Sequence, residues 1–445
     1  MPMQFHYNAM LLLADSLRQK YDITIGIFTT VSYAEQGDHY KYKVFNFGQF
    51  PIPEQKLNSL IASSYHASSL MDFYDKSVFE IGRLSMNTLY SWIHSFIHTN
   101  HPSAIVCDFY LTGAQVASLS NSVPLVLYSV DPLSDFYPAT FSFSDMRRHL
   151  LVEMAVEHHT TFIANFIHSM NLPNQPVFPL YSVPVIVFNG IDYLFPSETI
   201  SNTPSNWHSL GPLHLTGYSE PVATVNLMEF LQAPQITTRV LLYLGDHGSF
   251  DLWQIRTILR GLQDRLTQVI VLGDMPNSGD VRDRNVLVLS ARDVSPLYLI
   301  NSHAVTAAIS FCDNLLVQAS LYAQIPLLCV PSRRNRLLVK RLVAEKAAIQ
   351  FPEGFWTEST VHDCVRQLLN LEGVTVDRQV WEGAVTELKN ESLQQWIQWS
   401  GVTGNVVSLD EMGWLGACLG LLCFILIAIV HRIRIALRNS HPKRN

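Results

Sequence analysis

Gly245 and Gly248 lie in the turn Leu244-Gly245-Asp246-His247-Gly248-Ser249, between a β-rich apolar run and an amphipathic one. In that setting the backbone N–H groups of Gly248 and Ser249 can approach a phosphate at a helix N-terminus, although an ordinary strand-to-helix turn has the same composition. Arg333, Arg334, Arg336, Lys340 and Arg341 form a basic cluster further on. Guanidinium forks suit a diphosphate, and the same cluster also fits a solvated helix face. His94 and His98 stand four apart on a predicted helix, which places both on one face. With no neighbouring carboxylate or thiolate, that spacing fits packing or surface histidines better than a metal site. Cys107, Cys312, Cys329 and Cys364 make no C-x-x-C pair, and Cys107 and Cys329 sit in apolar runs, which predicts buried free thiols rather than a disulfide framework. G-x-G-x-x-G, the Walker phosphate loop and the G-x-S-x-G elbow are all absent.

Short β-rich runs alternating with amphipathic stretches must position these residues, and that rhythm predicts parallel sheets with helical crossovers. In the first half, 23–29, 104–107, 124–128 and 183–188 read as strands, and 10–20 and 112–120 as helices. In the second half, strands at 240–244, 269–272, 286–289, 305–309 and 327–330 alternate with helices near 253–266, 315–323 and 337–346. The stretch from Leu213 to Thr238 is poor in pattern and holds Pro221 and Pro234. The chain therefore divides into an N-terminal domain over 1–220, a linker over 221–238 and a C-terminal domain over 239–400, two α/β domains facing each other across a cleft.

The chain has 445 residues, 48% hydrophobic and only 15% charged, which excludes a disordered protein. Its net charge of -7 argues against a nucleic-acid binder. Five cations after Val430 (Arg432, Arg434, Arg438, Lys443 and Arg444) contribute +5, so the rest stands at -12. Residues 412–430, MGWLGACLGLLCFILIAIV, carry no charge over nineteen positions, just enough to cross a hydrocarbon core. Trp414 marks one interface, and the positive-inside rule puts the basic tail, 431–445, in the cytoplasm and the body in a lumen or outside. Asn390-Glu391-Ser392 is a glycosylation triplet that only a lumenal body would use. That topology calls for an N-terminal signal, and the opening MPMQFHYNAM has neither a basic nor an apolar signal region. The expectation is a chain that begins late.

Collectively, residues 304–349 resemble the donor-binding signature of the UDP-glycosyltransferases, the glucuronosyl/glucosyltransferase family. Gln318, Leu321, Tyr322, Pro326-Leu327-Leu328, Pro331, Lys346 and Ala348 fall in frame without gaps. Leu210-Gly211-Pro212-Leu213 looks like the family's "vGPL", and the stretch from His101-Pro102 to Pro124 is similar to its "pD…SD…lgiP". The terminal membrane helix with a basic tail also matches animal-type members. The resemblance implies two facing Rossmann-like domains of the GT-B type in a single-pass protein of the endoplasmic reticulum. It also implies a UDP-sugar as co-substrate, a small lipophilic acceptor, and no cofactor or metal.

Phe5-His6-Tyr7-Asn8-Ala9-Met10 with Leu13-Ala14 and Leu17 matches the family's "GHxxPM…LA..L", which implies His6 as catalytic base at the end of a first strand of which only Met1–Phe5 remains. Asp108, in Val106-Cys107-Asp108, matches the acidic partner. A neutral imidazole takes the proton of an acceptor hydroxyl as it attacks the anomeric carbon, and the carboxylate steadies the imidazolium. The donor motif departs from the family. Phe311-Cys312-Asp313 replaces "HGG", Ala319 replaces the ribose-binding glutamate, Asn335-Arg336 replaces "DQ", and Leu289-Ser290-Ala291-Arg292 replaces "WxPQ". Carried over by position, the donor set is Gly248, Ser249, Arg292, Ser310, Cys312, Asp313, Asn314, Gln318, Asn335 and Arg336, with 158–170 shaping the acceptor pocket. The implied activity is inverting transfer of a hexose or glucuronic acid. The alternatives are a non-catalytic relative that binds a lipophilic ligand or partner, or an enzyme using a lipid-phosphate sugar.

Overall fold

Among the described residues most strands are runs of three to six residues rich in Val, Ile and Leu, and every pairing is parallel; the strands of the large sheet are mostly buried, as crossover helices on both faces require. The computed structural model describes residues 4–371 except 19–20, 29–42, 131–142, 174–182, 188–205, 210–224, 234–235, 246–249, 264–265, 274–284, 291–293 and 333–334.

The N-terminal half opens with α1 (Gln4–Leu17), held by a buried stripe of His6, Ala9, Leu13 and Ala14 at helical spacing. Here the structure corrects the expectation of a strand remnant over Met1–Phe5 at its two described residues: Gln4 and Phe5 are helical, His6 sits in the first described turn, and residues 1–3 lie outside the described residues. Strands β1 (Thr24–Ile27) and β2 (Lys43–Asn46) pair with each other. Helix α2 (Glu54–Tyr65) follows, then α3 (Leu70–Phe73), a π-turn (Tyr74–Val78) and α4 (Phe79–Asn100). Next come β3 (Ile105–Asp108), α5 (Thr112–Ser120), β4 (Leu125–Ser129), α6 (Phe143–Ser169), β5 (Val185–Val187) and β6 (Trp207–Ser209). The order β3-β4-β5-β6 makes a four-stranded sheet, and among the described residues no strand joins β1 to β3.

Helix α7 (Val225–Leu231) forms within the stretch expected to be a linker, with Leu227 wholly buried. The C-terminal half then runs β7 (Thr238–Tyr243), α8 (Leu252–Gly261), β8 (Thr267–Leu272), β9 (Val286–Leu289), α9 (Pro296–Asn301) and β10 (Ala307–Ser310). It continues with α10 (Asn314–Ala323), β11 (Leu327–Cys329), α11 (Arg336–Ala344), β12 (Ala348–Gln350) and α12 (Glu358–Leu369). Its order, β12-β11-β10-β7-β8-β9, is the doubly wound one, in which the chain reverses between β7 and β10 and opens a crevice at their carboxyl ends.

One apolar cluster runs from Ala9 and Leu13 through Leu57 and Val126 to Leu241, Ile270, Ile309 and Leu328, so the two halves share a core. Both belong to one unit, Met1–Gly401. The second unit, Val402–Asn445, holds the expected membrane run and basic tail and lies outside the described residues, as does Asn390. Among the described residues no helix is long and apolar enough to cross a membrane.

Candidate active site

His6, near the start of the N-terminal half, and Asp108, near its middle, are far apart in sequence and meet. The His6 imidazole contacts Asp108 Oδ2 through Nδ1, and the two side chains are 0% and 1% exposed. Asp108 ends β3, where the register places it beside Tyr128 of β4. The Tyr128 hydroxyl donates to the His6 carbonyl oxygen at 3.2 Å, and the Tyr110 ring lies 5.5 Å from the imidazole. Tyr110 N–H donates to Asp108 Oδ1 at 2.8 Å. Burial pushes the Asp108 carboxyl up, yet the adjacent imidazole and the Tyr110 N–H more than reverse this and hold it well below the usual carboxylate range. A buried carboxylate on Nδ1 leaves Nε2 as the nitrogen for proton transfer.

Six of the ten donor residues named from sequence gather at the carboxyl edge of the C-terminal sheet. Ser310 Oγ, at the end of β10, accepts the Cys312 N–H at 2.9 Å. Asp313 stands at the N-cap of α10 without making a side-chain capping bond. Asn335 donates through Nδ2 to the Phe311 carbonyl at 3.0 Å and to Asp313 Oδ1 at 3.1 Å. Gln318 Nε2 donates to Asn314 Oδ1 at 3.1 Å, and Asn314 Nδ2 donates to Val130 O at 2.7 Å, two residues past Tyr128. The head of α10 thus faces the strand that supports the dyad. Arg336 is exposed at the start of α11, and Ala319 is wholly buried in α10. Gly248, Ser249, Arg292, Arg333 and Arg334 lie outside the described residues, as does the Leu210–Leu213 motif apart from its neighbouring strand β6.

The expectation of a free thiol at Cys329 is overturned, and Cys312 is no free donor contact. The two form a disulfide with Cα atoms 5.4 Å apart. Ser310 and Cys329 are register partners on adjacent strands, and a left-handed turn at Cys312 (φ 55°) folds it back over its neighbour. A crossover helix separates the two cysteines in sequence, so no local spacing announces the bridge. Cys107 is a buried free thiol, pushed up by burial and then by the adjacent Asp108. His94 packs its ring 4.4 Å from that of His98 and takes an amide contact from Asn121 at 3.0 Å. In α6, His158 is 60% exposed with Nδ1 2.7 Å from Asp75 Oδ1, which Arg83 also contacts at 2.7 Å. Burial pushes Asp75 up, and the bonds from Arg83 and His158 outweigh it and leave it lowered.

Sequence reasoning missed Tyr65, Tyr110, Tyr128 and Phe250. Tyr65, the last residue of α2, donates its hydroxyl to Asp313 across 248 residues of sequence, a contact with no local signal.

No protein-family model and no curated protein sequence matches the chain. Solved structures do match in fold. An Arabidopsis thaliana protein complexed with UDP-L-rhamnose is similar with a TM-score of 0.60 at 13% identity, over 90% of this chain and 98% of that one. A variant of Os79 from O. sativa, in complex with UDP, gives 0.59 at 14% identity over 89% and 96%. The glycotransferase of kitacinnamycin gives 0.58 at 13% identity over 92% and 95%. At these identities the likeness is one of fold: parallel α/β sheets arranged as in the GT-B glycosyltransferases.

Proposed function

We propose that this chain, folded as a divergent GT-B glycosyltransferase, transfers a hexose or glucuronic acid from a UDP-sugar to a small lipophilic acceptor. The observation that carries the reading is the buried His6–Asp108 pair at the end of β3, opposite the head of α10. An acceptor oxygen attacks the anomeric carbon as the bond to UDP breaks, and its proton passes to Nε2 of His6. Direct displacement inverts the anomeric centre. Asp108 fixes the ring and stabilises the imidazolium. Since His6 is fully covered, acceptor access must uncover Nε2. The reading needs no resident cofactor or metal, because α10 offers a helix N-terminus to the diphosphate. The membrane run 412–430, a lumenal body and a cytoplasmic tail in the endoplasmic reticulum belong to the same proposal, and the Cys312–Cys329 bridge supports an oxidising compartment.

A second reading has its own support. Phe311 and Asp313 are buried where a donor would lie, which favours a relative that keeps the fold and binds a lipophilic ligand or partner. Transfer assays on the full chain with UDP-glucose or UDP-glucuronic acid and lipophilic alcohols decide between them. Under the enzyme reading, Asp108→Asn lowers turnover by about 10²–10⁴-fold while UDP affinity holds. A folded chain that neither binds UDP at millimolar concentration nor turns it over leaves the binding reading.

A further inference from the structure

The crevice between the carboxyl ends of β7 and β10 is filled from within the chain. Phe311 is 3% exposed, with its ring centroid 4.5 Å from Phe250 beyond β7 and 4.8 Å from Tyr65 of the other half. The Tyr65 hydroxyl lies 3.2 Å and 3.4 Å from the two carboxylate oxygens of Asp313, to which it donates. An aspartate at an N-cap ordinarily accepts from its own helix. Asp313 instead bonds the opposite half and Asn335, and makes no capping bond. The amide of Asn314 to Val130 O provides a second strut between the halves. The turn that carries all this is tied to the sheet, with Cys312 left-handed, bridged to Cys329 and bonded to Ser310.

We propose that Tyr65, Phe311 and Asp313 form a latch locking the two halves over the head of α10, and that opening the latch uncovers the donor site. That the opening uncovers a donor site rests on the nucleotide-sugar reading. An anion is favoured at a helix N-terminus, and here the chain's own carboxylate holds that place, bonded across the halves. A diphosphate must displace it and break the Tyr65 bond. Donor affinity is then reduced by the fraction of molecules in which the latch is closed.

Tyr65→Phe keeps the ring against Phe311 and deletes the hydroxyl. Two readouts on the full chain separate the latch from the donor reading: amide hydrogen exchange without ligand, and UDP affinity by calorimetry. The expected result is exchange faster by about tenfold or more in both 60–66 and 309–316, the scale of a lost hydrogen bond to a charged group. UDP then binds several-fold more tightly. Exchange unchanged in 309–316 overturns the latch, whatever UDP does. Exchange raised in both segments with UDP bound equally by both proteins overturns the gating. Exchange raised in both with no UDP bound by either protein upholds the latch and defeats the donor reading. Asp313→Asn, which weakens the same contact from the other side, must loosen 60–66 as well.

Discussion

At the scale of single residues, burial of ionisable groups sets the behaviour of the N-terminal half. His159 is 2% exposed, stacked on Phe79 at 4.4 Å, with Thr112 Oγ1 3.3 Å from Nε2. Burial pulls it down to about 3. Its folded value lies below the unfolded value of 6.5, so the unfolded chain binds the proton first. The stability this group supplies is complete above pH 6.5 and is lost as pH falls towards 3, with a slope of at most about 1.4 kcal/mol per pH unit. Denaturant melts at pH 7 and pH 4.5 check this. His159→Phe, which keeps the stack, flattens the fall in that window, and parallel curves for the two proteins refute the assignment. Asp75 and Asp108, both lowered, act further down, below the ordinary 3.8.

Among the elements, α4 and α5 show how closely backbones must approach to carry Asp108. A Cβ on Gly113 would stand 2.6 Å from the Met86 carbonyl oxygen and 2.8 Å from Leu89 Cβ, a clash with backbone that no rotamer relieves. Gly113→Ala is expected to cost about 1–3 kcal/mol and lower the melting temperature by several degrees. An unchanged melting curve would show that the helices part freely. The elements were also the most legible part of the sequence. β9, between Asn285 and Ser290, and α5, ended by Asn121, fall on the residues read from pattern. β2, β6 and β12 were invisible, being three or four residues long and set by their neighbours. Met1–Phe5 was read as strand from resemblance, whereas His6, Ala9, Leu13 and Ala14 bury on one face at helical spacing, and that periodicity prevailed. The meeting of His6 with Asp108 was legible because each sits in a short motif that resembles the family's. The Tyr65–Asp313 contact was not, because only the meeting of the halves creates it.

The whole molecule joins two unequal halves through one core. Among the described residues the C-terminal sheet is continuous over six strands, whereas the N-terminal strands form one group of two and one of four. The bridge between Cys312 and Cys329 reinforces the stronger half across a separation of 17 residues. A loop of that size restricts the unfolded chain by about 3 kcal/mol. The double variant Cys312→Ala/Cys329→Ala is therefore expected to shift the denaturant midpoint down with little change in slope. Thiol counting on the denatured, unreduced chain tests the bridge itself: retention of both thiols as reactive groups would falsify it.

That bridge also has a hereditary side. Both sulfurs are wholly buried, so changing either cysteine alone strands its fellow in a closed pocket beside Ser310, with the loop freed and the site ill-filled. Changing both to small apolar residues loses the loop restraint and strands nothing. The two cysteines are therefore expected to be gained and lost as a pair in descendants of this sequence, and single replacements to be the rarer ones.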